Sequence, residues 1–129
     1  MLALPITSIT AASLAIIMLP LTLQVSLRRV AIGSVVFGDG GDDVLRRRIR
    51  AFGNFIEYAP MCLILLALLE AQGAGTTWLW TTAALLVAGR VIHGLGMLFA
   101  QSPAPRGLAM LMTYGAFLTP AVWLLTRGG

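Results

Sequence analysis

The sequence predicts an all-α integral membrane protein, a bundle of four transmembrane helices. Two observations carry this. Only 11% of the 129 residues are charged, where a soluble domain carries about 25%. Charge is also missing from whole stretches: residues 1–27, 71–89 and 107–126 hold none. A helix that crosses hydrocarbon needs roughly 20 mostly apolar residues. Four such segments fit, at about 5–27, 44–69, 77–100 and 106–126, and they fill residues 1–129 as a single domain.

The first segment is apolar apart from Thr, Ser and Gln24, and Pro20 is expected to kink it. It lacks a basic leader and is too long for the short apolar core of a signal peptide, so it is expected to stay as a helix. The connection VVFGDGGDDV is Gly-rich and reads as a loop. Asp42 or Asp43 is placed to cap the second helix and complement its positive end. The acidic spacing fits no calcium loop, so the aspartates read as caps and turn residues rather than ligands.

The second helix opens on Arg46, Arg47 and Arg48, which suit lipid headgroups. Arg50, Asn54 and Glu57 then continue inward, spaced four and three apart on one helical face. Charged and amide side chains are costly inside a bilayer and mark a site or a buried partner. Pro60 deprives the carbonyl of Ile56 of its usual donor.

The third helix carries Arg90, His93 and Met97 on one face, with Gly89, Gly94 and Gly96 permitting close helix approach. His93 reads either as a structural hydrogen-bond donor or as a site residue. No metal is expected: there is no second histidine, and Cys62 is the lone cysteine. Glu57 should lie roughly 20 Å from the start of its helix, and Arg90 roughly 16 Å from the same membrane face. That match in depth predicts a buried Glu57–Arg90 ion pair. Arg106 opens the fourth helix, where a cation opposes the helix dipole. It reads as an anion contact or as a topology anchor. Tyr114 and Pro120 read as packing and a kink.

All nine cations are arginines, and six of them (Arg28, Arg29, Arg46, Arg47, Arg48 and Arg50) flank the first connection. Arg106 flanks the third, and the second has none. The positive-inside rule puts loops one and three in the cytoplasm and both termini on the opposite, periplasmic side. The basic balance reflects this bias; no soluble basic surface exists to bind nucleic acid.

A cytoplasmic cavity lined by Arg50, Asn54, Glu57 and Arg90, with Arg28, Arg29 and Arg106 nearby, suits a small anionic ligand. Guanidinium forks hold carboxylates, and Asn and Glu add donors and acceptors. Glutathione fits this inventory, as do other anions.

The pattern RxxRAxxNxxEYxP, here Arg47, Arg50, Ala51, Asn54, Glu57, Tyr58 and Pro60, resembles the second-helix signature of the MAPEG family. These are membrane-associated proteins in eicosanoid and glutathione metabolism. The resemblance extends to Arg28 and Arg29 after helix one, to Arg90 and to Arg106. Through GDGG and GRVIHGLG it leads to small bacterial members. It implies a homotrimer in a bacterial inner membrane, with glutathione as co-substrate between neighbouring subunits. Arg50, Asn54, Glu57 and Tyr58 match positions that hold glutathione, and Arg28, Arg29 and Arg47 are counted with them as binding residues. Arg90 and His93 match third-helix site positions. Arg106 matches the arginine credited with stabilising the glutathione thiolate. The implied activity is a glutathione transferase or peroxidase that turns the thiolate on lipophilic electrophiles or lipid hydroperoxides.

Two positions depart from the family. Met97 stands where eukaryotic enzymes often have Tyr, and Gly107 where one branch has a Ser. Both remove hydrogen-bonding groups near the sulfur, so the sequence supports binding better than turnover. The alternative is a non-catalytic MAPEG-fold binding or scaffold protein. A small multidrug exporter fits less well, because helix one has no carboxylate and the stripe is rich in arginine.

Overall fold

In a computed structural model that describes residues 3–127, four helices follow one another: α1 (Pro5–Ala31), α2 (Asp43–Ala71), α3 (Thr76–Phe99) and α4 (Ala104–Arg127). All four are long and apolar enough to cross a membrane. Pro20, Pro60 and Pro120 lie inside continuous helices. The helix α1 runs four residues past its expected end and carries Arg28 and Arg29 in its last turn.

Contacts between helices fix their directions. From one end of the α1–α2 pair to the other, Arg28 meets Asp42, Arg48 meets Gln24, and Glu70 meets Ile6. Between α3 and α4, Gly96 lies against Pro105 and Gly89 against Ala109. Consecutive helices are therefore antiparallel. Loops one and three share one end of the bundle, and α1 runs parallel to α3. The α1 helix packs on α2 and α3, while α4 packs mainly on α3 and also on α2.

The core is built from small and branched residues of all four helices. Leu14, Leu21, Ala51, Phe55, Ala59, Cys62, Leu86 and Ala116 form one buried cluster. Ile6, Leu66, Leu69, Leu79 and Ala83 form a second towards the other end. Large apolar side chains such as Ile16, Leu19, Leu111 and Leu118 point outward, as lipid contact requires. Tyr114, expected to pack, is exposed as well. Gly89 is one place where α3 and α4 approach closely. A Cβ there would lie 3.1 Å from the Ala109 carbonyl oxygen and 3.1 Å from Thr113 Oγ1.

Both ends of the α1–α2 hairpin are capped by carboxylates. Leu4 offers no side-chain cap to α1. Instead Glu70, at the end of α2, accepts from the backbone N–H groups of Ile6 at 2.9 Å and Thr7 at 2.8 Å. Two orphan donors of the first turn are thus satisfied across the interface. At the other end Asp42 caps α2, accepting from the Leu45 N–H at 2.6 Å. The same carboxylate takes a two-pronged contact from Arg28, at 3.1 and 2.6 Å. Arg46 binds Asp39 and Asp43. The Arg28 guanidinium and then the Leu45 amide hold the Asp42 carboxyl below the usual carboxylate range. Arg46 does the same for Asp39.

Candidate functional site

The exposed polar face of α2 borders a cleft of about 440 Å³, lined by Ile49, Arg50, Gly53, Asn54, Glu57, Tyr58 and His93. Five residues singled out in the sequence therefore meet in one place. Arg50 and Glu57 are exposed on its rim. Neither makes an ion pair or a side-chain hydrogen bond among the described residues. His93 is buried, lines the cleft, and likewise has no hydrogen bond to another described residue.

Arg90 lies behind this cleft and is only 1% exposed. The expected Glu57–Arg90 ion pair is not formed. Arg90 Nη1 instead donates to the side-chain and main-chain oxygens of Asn54. Its Nη2 donates to Thr113 Oγ1. The guanidinium also sits over the Tyr58 ring, 5.6 Å from the centroid. The correction has a geometric cause. The depth argument fixed the height of Glu57 but not its direction. The buried stripe of α2 is Ala51, Phe55, Ala59, Cys62, Leu66 and Leu69. At 3.6 residues per turn, Glu57 points roughly 150° away from the centre of that stripe. Asn54 and Tyr58 stand on its border and reach Arg90; Arg50 and Glu57 turn outward.

Thr113 and the nearby Met110 sulfur were not anticipated from the sequence. Met110 Sδ accepts from Asn54 Nδ2 at 3.7 Å and lies 3.9 Å from Arg90 Nη2. The available signal was Gly89, one residue before Arg90. Its missing side chain lets α4 come close enough for the Thr113 hydroxyl to meet the guanidinium. That hydroxyl donates onward to the Ala109 carbonyl at 2.8 Å.

Arg106 is partly buried and places Nη1 3.8 Å from Met97 Sδ. Met97 is one turn beyond the cleft residue His93 on the same face of α3. Gly96 makes room beneath: a Cβ there would lie 3.3 Å from Arg106 Cγ. Arg106 therefore stands beside Met97, one turn from His93 towards loop three, and does not itself line the cleft. Three other predicted arginines are elsewhere. Arg28 is engaged by Asp42. Arg29 donates to the carbonyls of Val35 at 2.9 Å and Val36 at 3.0 Å. Arg47 lines a separate cavity with Gln24 and Arg48. Within one chain, none of the three lines the cleft. Among the described residues no group of His, Cys, Asp and Glu could hold a metal ion.

Four membrane-length helices, with a polar, arginine-bearing cleft along α2, define an integral membrane protein. The chain belongs to the MAPEG family, whose model matches residues 7–126. It is 39% identical over 62 residues to the inner membrane protein YecN of Escherichia coli strain K12, and equally to YecN of E. coli O6:H1 strain CFT073. The aligned part covers 48% of this chain and 47% of YecN, so the chain spans about half the length of the curated relatives it matches. No solved structure matches the chain.

Proposed function

We propose that the protein binds glutathione in the membrane and uses its thiolate against lipophilic electrophiles or lipid hydroperoxides. The observation that supports this is the cleft itself. Among the described residues Arg50 and Glu57 stand on one rim with no ion-pair partner, and Asn54, Tyr58 and His93 line the same space. Glutathione brings two carboxylates, an ammonium and two peptide groups. Arg50 can take a carboxylate bidentately, and Glu57 can accept from the ammonium. Arg106 supplies a cation close to where the thiol would sit, which favours the thiolate. The sulfur then forms a bond to an electrophilic carbon, and the leaving group departs with its electron pair.

In this reading the protein is a homotrimer in a bacterial inner membrane. Loops one and three face the cytoplasm and both termini face the periplasm. YecN is named as an inner membrane protein, and the arginine asymmetry supports the orientation. Because α1 ends in Arg28 and Arg29 away from its own cleft, a neighbouring copy is the natural source of any α1 contribution.

A second reading, a glutathione binder without turnover, is favoured by one contact. The Arg106 guanidinium faces the Met97 thioether, a weak acceptor that cannot donate a proton to the reacting sulfur. Titrating the detergent-purified protein with glutathione, while following thiolate absorbance and conjugation of an aromatic halide, tests both. Binding with thiolate formation and turnover supports the enzyme. Binding without turnover supports the second reading. No binding refutes both.

A further inference from the structure

Two cavities outside the cleft lie side by side at the loop-one end of the bundle. The first, about 380 Å³, has a polar lining that includes Gln24, Asp43, Arg47, Arg48 and Gln101. The second, about 520 Å³, runs between α1 and α3 along Ile16, Pro20, Leu21, Val91 and Leu95. Gln24, Leu98 and Phe99 line both. A basic mouth therefore adjoins an apolar groove, with these three side chains between them. Since α1 and α3 run parallel, the groove leads from the helix ends towards the bilayer centre, the direction an acyl chain takes. Arg90 closes its inner end and is itself only 1% exposed.

The mouth has more donors than acceptors. Its one carboxylate, Asp43, is already bound by Arg46 at 2.8 Å. Arg47 has no ion pair among the described residues. Arg48 gives one N–H to the Gln24 carbonyl at 2.8 Å, which fixes its direction and leaves the rest of its fork free. The Gln24 amide nitrogen is buried and has no acceptor. A phosphate diester supplies the missing acceptor oxygens and the negative charge. We infer that this composite cavity binds one anionic glycerophospholipid. Its phosphate rests on Arg47 and Arg48, and one acyl chain lies in the α1–α3 groove. A bare lipid anchor would need the arginines but not the groove.

Native mass spectrometry of the detergent-purified protein tests this, with phosphatidylglycerol and phosphatidylcholine of identical chains as probes. Phosphatidylglycerol should be retained at least about tenfold better. The Arg47→Gln/Arg48→Gln double variant should bind it roughly thirtyfold more weakly, at the strength expected for two surface arginines. Its unchanged, weak retention of phosphatidylcholine would show an intact fold. Leu95→Trp, which fills the groove and leaves the mouth intact, should also lower phosphatidylglycerol retention. Equal binding of the two lipids, an unaffected arginine variant, or an unaffected Leu95→Trp would each overturn the proposal. So would efficient disulfide cross-linking of two Leu95→Cys copies in a Cys62→Ala background, since another subunit would then occupy the groove.

Discussion

Arg90 donates to Asn54 twice, once to the side-chain oxygen and once to the main-chain carbonyl. The amide thereby takes the place of the carboxylate that a buried guanidinium usually finds. Removing an acceptor from a buried charged donor costs about 1–3 kcal/mol. In thermal or denaturant unfolding, Asn54→Ala and Arg90→Leu should therefore couple by an amount on that order. Glu57→Gln and Arg90→Leu should instead add to within about 0.5 kcal/mol, as expected for residues without a shared contact. Strong coupling in the second cycle would restore the Glu57–Arg90 pair.

The proposed function gives different work to Arg50 and Arg106. Arg50→Leu should weaken glutathione binding by roughly ten- to a hundredfold, seen first as a raised KM. Arg50→Lys should recover only part of this, because an ammonium lacks the planar fork. Arg106→Leu should lower the thiolate fraction and kcat while leaving binding within a few-fold. An Arg106→Leu protein with unchanged thiolate absorbance and unchanged turnover would remove the assignment.

Topology is tested by single cysteines in a Cys62→Ala background. A cysteine placed at Gly38 in loop one should react with a membrane-permeant maleimide and resist an impermeant one added from the periplasmic side. One placed at Gly73 in loop two should react with both. The reverse pattern would invert the protein in the membrane.

Glu70 links the start of α1 to the end of α2. Glu70→Ala leaves two backbone donors without their partner and should destabilise by about 1–2 kcal/mol, the range of lost helix caps. Glu70→Gln keeps one acceptor oxygen and should cost less. Hydrogen exchange should rise at Ile6 and Thr7 before it rises elsewhere in α1.

Acid should loosen the first hairpin. Asp42 and Asp39 have carboxyl groups held below their ordinary value of 3.8 by Arg28 and Arg46. For a depressed pKa, the stabilisation is fully present above the unfolded value. It is lost as pH falls through the folded value. Stability should therefore be flat above about pH 5 and decline below roughly pH 4. Asp42→Asn retains a capping side chain but not the charge on Arg28, so its acid limb should be shallower. An identical limb in Asp42→Asn would show that Asp42 contributes nothing to it.

How much of this was legible beforehand depended on what each signal measures. Runs without charge mark helix spans, and observed boundaries lie within four residues of expected ones. The spacing of Arg50, Asn54 and Glu57 identified a face, and the cleft does lie along it. Spacing is blind to which neighbour a face meets. The Glu57–Arg90 pairing failed there, because direction around α2 is set by where Ala51, Phe55 and Ala59 are buried. Local charge counting missed the pairings of Arg28 with Asp42 and of Glu70 with the α1 amides, since each joins residues from two different elements. Arg28, Arg29 and Arg47 looked like cleft residues because sequence shows their charge and not what already engages it.

Arg90 has one further consequence. Its hydrogen-bond partners are an amide side chain, a main-chain carbonyl, a hydroxyl and a thioether, all electrically neutral. The positive potential it creates therefore reaches the cleft floor without cancellation by a counter-ion in its own shell. Mobile electrolyte screens an exposed group such as Arg50 over about 10 Å at moderate salt, but has little access to a charge sealed between helices. The rim of the cleft thus responds to the ionic strength of the medium, while its floor keeps a constant bias towards negative occupants.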